Sequence, residues 1–110
     1  MAKLEEFNNI VLLITTADAE EAYRIADILV KERKAACVNI LPGVNSLFRW
    51  QGKLEKANES LLVVKSQASL LEEIVKLVKE HHSYDVPEII ALPIISGNPD
   101  YLEWLAKELK

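Results

Sequence analysis

Residues Ala35 to Ser66, AACVNILPGVNSLFRWQGKLEKANESLLVVKS, decide how this chain folds. Ala35 to Trp50 reads as a strand of about twice the usual length. Pro42-Gly43 interrupts it and predicts a bulge or bend, since proline brings no N–H to a ladder and glycine tolerates unusual backbone angles. Beyond the bend Leu47 and Arg49 point one way, and Phe48 and Trp50 the other. Gln51-Gly52 fits a tight hairpin turn, with Gly52 available for positive φ. The return strand runs from Lys53 to Ser66, and Leu61, Leu62, Val63 and Val64 form its buried centre.

On the N-terminal side, Ile10 to Ile14 is an unbroken apolar run ended by Thr15 and Thr16, as expected of a buried strand. Asp18 and Glu21 have capping-box spacing, and Ala22, Ile25, Ala26 and Leu29 recur at helical spacing, predicting a helix over Ala19 to Arg33. On the C-terminal side, Ser69 and Glu72 repeat the capping-box spacing. Leu71, Ile74, Val75 and Val78 then form the stripe of a helix ending near His81-His82. Pro87 closes the following loop, Glu88 to Ile95 is an apolar strand broken by Pro93, and Asn98-Pro99 opens a short helix. The inner face of that helix is read as Tyr101, Leu102, Leu105 and Leu109.

The order β α β β α β plus a terminal helix is the split βαβ, ferredoxin-like pattern of an α+β fold with an antiparallel sheet. Residues 1–110 are read as one such domain. Right-handed crossovers place both long helices on one face, with the first and third strands central. Pro42 and Pro93 agree, since both fall on the presumed edge strands.

Two helices cover only one face of this sheet. A half-exposed sheet should alternate apolar and polar residues, yet Ile10–Ile14 and Leu61–Val64 are apolar on both faces. The second face therefore wants a cover, and another copy of the chain is the expected one. The expectation is a closed homo-oligomeric ring, most simply a homotrimer.

The 110 residues carry 17 acidic and 13 basic side chains, a net charge of −4. That balance argues against nucleic acid and against an anionic membrane surface. The strand centre Leu61–Val64 also offers no aromatic on which a base could stack. Ile89 to Ile95 is the longest apolar run and is far short of a membrane span. Cys37 is the only cysteine, so no internal disulfide is available. Met1 to Asn9, with Glu5, Glu6 and Asn8, lacks a basic-then-apolar signal pattern. Together these predict a cytoplasmic protein. No glycine occurs in Thr15-Thr16-Ala17-Asp18 after the first strand, and no Ser-His-Asp or Cys-His set stands out, so a non-catalytic protein is expected.

Three segments, Ala35-Ala36-Cys37-Val38-Asn39, Trp50-Gln51-Gly52-Lys53-Leu54-Glu55 and Tyr84-Asp85-Val86-Pro87-Glu88-Ile89, in this order and spacing, resemble the CutA family of divalent-cation-tolerance proteins. The likeness runs from about Ile10 to Leu109. It implies a homotrimer of ferredoxin-like sheets and a cytoplasmic, metal-responsive, often copper-binding protein with no established reaction. The chain departs from the family in reading His82-Ser83-Tyr84 where the family has His-Pro-Tyr, and in carrying His81 where it has leucine.

The candidate ligands for a divalent metal ion, Cu(II) foremost, are Cys37, His82 and Glu88, with His81 and Asp85 as further donors. A thiolate, an imidazole and a carboxylate can together hold copper or zinc. His81 and His82 are adjacent on a helix end and point about 100° apart, which suits one ion poorly. Their alternative role is to cap the helix C-terminus, and that of Cys37 is a small buried hydrophobe. Trp50, Lys65 and Tyr84 are candidates to line a cleft between subunits, with Glu88 a partner for Lys65. The rival function is therefore a small-ligand sensor or assembly scaffold of the trimeric signalling-protein type. Its protein partner, if any, is not named by the sequence.

Overall fold

The structure, a computed structural model, describes residues 7–110. The reading of Glu5 and Glu6 at the N-terminus lies outside them. Strand β1 (Asn9–Thr16) leads into helix α1 (Ala19–Lys31), and β2 (Cys37–Trp50) and β3 (Lys53–Gln67) form the long hairpin. Helix α2 (Leu71–His81), strand β4 (Ile89–Pro93) and helix α3 (Pro99–Glu108) complete the chain. The sheet has four strands in the order β2-β3-β1-β4, so β1 and β3 are central. All its pairings are antiparallel.

Alternation along the central strands sorts side chains onto two faces. Ile10, Leu12, Ile14, Leu62 and Val64 are wholly buried under α1 and α2, against Ala22, Ile25, Leu29, Ile74 and Val78. The opposite face carries Val11, Leu13 and Thr15 of β1, with Lys65, Val63 and Leu61 directly across on β3. Ile90 and Leu92 of β4 pair with Leu13 and Val11 and stay about half exposed. Leu41 on β2, opposite Leu61, does the same. Helix α3 covers only one end of this face. Leu105 is its wholly buried anchor, and the Tyr101 phenol is pushed up by burial and by the neighbouring Cys37 sulfur.

The hairpin follows its local sequence closely. The β2–β3 register slips between Leu41 and Val44, where Pro42-Gly43 inserts a bulge, and Gly43 has φ +75°. Gln51 and Gly52 form the turn with φ of 52° and 78°. Positive φ at both turn positions is the arrangement whose twist matches the flanking strands, but it strains a residue with a Cβ. Gln51→Gly is therefore expected to raise stability by about 0.5–1 kcal/mol, read as a higher melting temperature.

Several details differ from the sequence-based expectation. Helix α1 stops at Lys31, not Arg33, because Arg33 takes left-handed angles (φ 59°) and its side chain donates to the Glu108 and Lys107 carbonyls. Ser69 does not cap α2, since β3 continues to Gln67 and a 3-10 turn over Ala68–Leu70 bridges into the helix. Strand β4 begins at Ile89 and ends at Pro93, short of the expected Glu88–Ile95. Tyr101 lies on the inner face of α3 beside Cys37 yet stays 41% exposed, and the cap of the helix is the Asn98 side chain accepting from the Asp100 N–H.

Candidate functional site

The loop from His82 to Glu88 leaves α2, crosses the end of β1 and returns into β4. What ties it down begins with Asp18, whose Oδ1 accepts the Glu21 N–H at 2.8 Å and starts α1. The Glu21 carboxylate, 4% exposed, reaches back to the Ala17 N–H at 2.9 Å. Its oxygens also accept the Ser83 N–H at 2.6 Å and the Ser83 hydroxyl at 3.1 Å. A helix cap thus doubles as the anchor of a distant loop. Burial alone would raise the Glu21 carboxyl, but the Ala17 and Ser83 donors, with His82 beside it, hold it below the usual carboxylate range.

His82 is fully enclosed at its side chain. Its Nδ1 accepts the Tyr84 N–H at 3.0 Å, which leaves Nε2 to carry the proton and donate to the Thr15 carbonyl at 2.8 Å. Both ring nitrogens are committed. The Tyr84 ring packs 4.9 Å from the His82 ring, and its hydroxyl donates to Glu59 Oε2 at 2.8 Å. Burial and the Glu59 carboxylate push the Tyr84 phenol up to about 12.

Between this loop and the overhanging hairpin lies an open cleft of about 700 Å³. Thr15, Glu59 and Tyr84 form its inner part, and Glu55, Lys56, Asp85 and Glu88 set the charge around them. Phe48 and Trp50 supply aromatic walls that are 41% and 47% exposed. The cleft is acidic and aromatic, with Lys56 the lysine in its lining.

The residues singled out from the sequence are not all gathered here. Trp50, Tyr84, Asp85 and Glu88 share the cleft. Lys65 does not. Its Nζ donates to Asn39 Oδ1 on the neighbouring strand, so Asn39 and not Glu88 is its partner. Cys37 pairs across the ladder with Lys65, six residues along β3 from Glu59 and so about 20 Å away. His81 is exposed at the end of α2, where its carbonyl accepts from Arg24. Cys37, His82 and Glu88 therefore do not converge, and among the described residues no group of three His, Cys, Asp or Glu side chains is placed to hold one metal ion.

Sequence reasoning missed Glu59 and Thr15. The available signal was that Glu59 falls on the same alternating face as Leu61 and Val63, a carboxylate continuing an apolar stripe.

Comparison with known proteins places the chain among relatives. Residues 10–108 match the family described as CutA1 divalent ion tolerance protein. The divalent-cation tolerance protein CutA of Thermus thermophilus is 50% identical over 86% of this chain and 92% of its own length. A solved structure of the divalent cation tolerance protein from Thermus thermophilus superposes with a TM-score of 0.91 at 47% identity, covering 93% of this chain and 99% of that one. Protein CutA, chloroplastic, of Arabidopsis thaliana is 46% identical over 88% of this chain, which spans about half (53%) of that relative's length. The solved structure titled as the periplasmic divalent cation tolerance protein CutA of Archaeoglobus fulgidus has a TM-score of 0.90 at 39% identity, covering 93% of this chain and 99% of that one. Chloroplastic and periplasmic relatives overturn the cytoplasmic expectation. A lone cysteine forbids an internal disulfide in any compartment, so it does not choose one. Among the described residues no helix is long and apolar enough to cross a membrane.

Proposed function

The chain belongs to the CutA1 divalent ion tolerance family, and on that premise we propose that it acts in divalent-cation tolerance as a non-catalytic homotrimer, with the acidic cleft as the place where cations are met. The observation that carries this reading is the gathering of Glu55, Glu59, Asp85 and Glu88 around one concave surface. Relatives bearing the names of tolerance proteins, not of enzymes, support the non-catalytic part. Half-exposed Leu41 on one edge strand, and Ile90 and Leu92 on the other, support assembly through the open sheet face.

Divalent cations, Cu(II) included, are met by exposed carboxylate oxygens at the cleft mouth, chiefly Asp85 and Glu88. His82 enters a metal's coordination only by giving up its bond to Thr15 at Nε2 or to Tyr84 at Nδ1. A competitive Cu(II) titration against a chelator separates the two. We expect Asp85→Asn with Glu88→Gln to weaken binding about tenfold, the scale of losing charge-assisted ligands. His82→Ala should lower the melting temperature and leave copper affinity of the folded protein unchanged. Tight, stoichiometric copper lost in His82→Ala alone would overturn this assignment.

A second reading, small-ligand sensing, is favoured by one observation. Glu59 is 6% exposed and lines the cleft, yet among the described residues only its Oε2 has a hydrogen-bond partner.

A further inference from the structure

The inner cleft is polar in an incomplete way. Glu59 Oε2 accepts from Tyr84, while Oε1 receives no hydrogen bond from any described residue. Thr15 is 8% exposed and lines the same space, and its hydroxyl has no partner among the described residues either. Neither atom is sealed from solvent, and both residues line the cleft. Two acceptor oxygens on a concave surface, with no protein donor aimed at them, are complementary to a ligand that brings donors.

We propose that the inner cleft binds a primary ammonium group on a short alkyl chain, donating to Glu59 Oε1 and Thr15 Oγ1 with its methylenes running up the cleft toward Phe48. This rests on the second reading above, that the cleft is a ligand site, and supplies its chemistry. An ammonium carries three donors and no acceptor, the complement of a carboxylate and a hydroxyl oxygen. Other ligand classes fit less well. An anion would meet Glu55, Glu59, Asp85 and Glu88 with only Lys56 to offset them. A bare divalent ion enclosed here wants several oxygens converging within about 2.6 Å, and the carboxylates are spread around the cleft with, among the described residues, no three placed to hold one ion. A neutral apolar ligand would leave Glu59 Oε1 dehydrated and unpaired. A quaternary ammonium keeps the charge but has no N–H to give.

The chain has two tryptophans, Trp50 in the cleft and Trp104 on α3, so Trp104→Phe leaves Trp50 as sole reporter. The assembled protein carrying that change is titrated in EDTA, which removes metals, with n-butylammonium, n-butanol and butyltrimethylammonium. The expected result is a saturable heat of binding with n-butylammonium in titration calorimetry, with Trp50 left open to acrylamide. Binding should be at least tenfold weaker for either control and for Glu59→Gln, and severalfold weaker for the exposed Glu88→Gln, which keeps the test alive if Glu59→Gln does not fold. Equal binding of n-butanol would leave the cleft a ligand site but overturn the ammonium assignment, as would affinity unchanged in both variants. No response to any probe, with Trp50 shielded from acrylamide, would mean that a second copy fills the cleft and would overturn both readings.

Discussion

Glu21→Ala is expected to destabilise the protein by about 3 kcal/mol at neutral pH, because it orphans donors at both ends of the site at once. The Ala17 N–H, the Ser83 N–H and the Ser83 hydroxyl all end on this carboxylate. Each enclosed donor left without a partner costs roughly 1–3 kcal/mol, discounted here because Ala17 and Ser83 themselves reach solvent. The loss should appear as a lower denaturation midpoint together with faster amide exchange from His82 through Tyr84. Glu21→Gln keeps one acceptor and should lose about half as much. The pH dependence has a definite sign. The Glu21 carboxyl is lower in the folded protein than its ordinary value of 4.5, so its contribution is fully present above about 4.5 and is lost as pH falls through the folded value. Glu21→Gln should therefore flatten the acid limb of the stability curve below about pH 4.5. An unaltered acid limb would show that Glu21 does not tie the loop to α1.

Val63→Asp should have the largest effect on assembly. Val63 sits centrally on the open face of β3, across from Leu13 on one side and Asn39 on the other. It is only half-buried in the single chain, and the helix-side core of Leu62 and Val64 is untouched by the change. In a ring closed through this face the new carboxylate would be buried without a partner in every copy, at about 3–5 kcal/mol each. That is a loss of roughly 10²- to 4 × 10³-fold in association at each interface. Light scattering should move from a trimer's mass to that of one chain, while circular dichroism stays folded. A variant that keeps its assembled mass would rule out the open face as the joint. Because α3 covers only the Cys37 end, it does not remove the need for a cover over Leu41, Ile90 and Leu92.

The departure at His82-Ser83-Tyr84 gains a physical account from the same network. Ser83 donates both its N–H and its hydroxyl to Glu21, bonds that a proline there could not make. The stiffness that a proline would give the loop is replaced by two hydrogen bonds to a buried carboxylate.

Local chemistry by itself determined the hairpin, the strand order and the helix-side core. A proline and a glycine place the bulge, a Gln-Gly pair places the turn, and period-two and period-3.6 patterns choose which side chains face inward; each acts over a few residues and can be read along the chain. The apolar second face of Ile10–Ile14 and Leu61–Val64 was readable for the same reason. The site was only partly readable. Trp50, Tyr84, Asp85 and Glu88 share one cleft, whereas the strand register carries Lys65, a cleft candidate, and Cys37, a metal-ligand candidate, about 20 Å along the sheet. His82 reads from sequence as a candidate metal ligand or a helix cap, because nothing in its neighbours announces that Thr15 and Tyr84 occupy both ring nitrogens. Glu21 read only as a helix cap, and Glu59 as an ordinary strand residue. Their roles come from partners 62 and 25 positions away, and only tertiary packing, which sets what each carboxylate loses in hydration and which donors replace the water, could decide them.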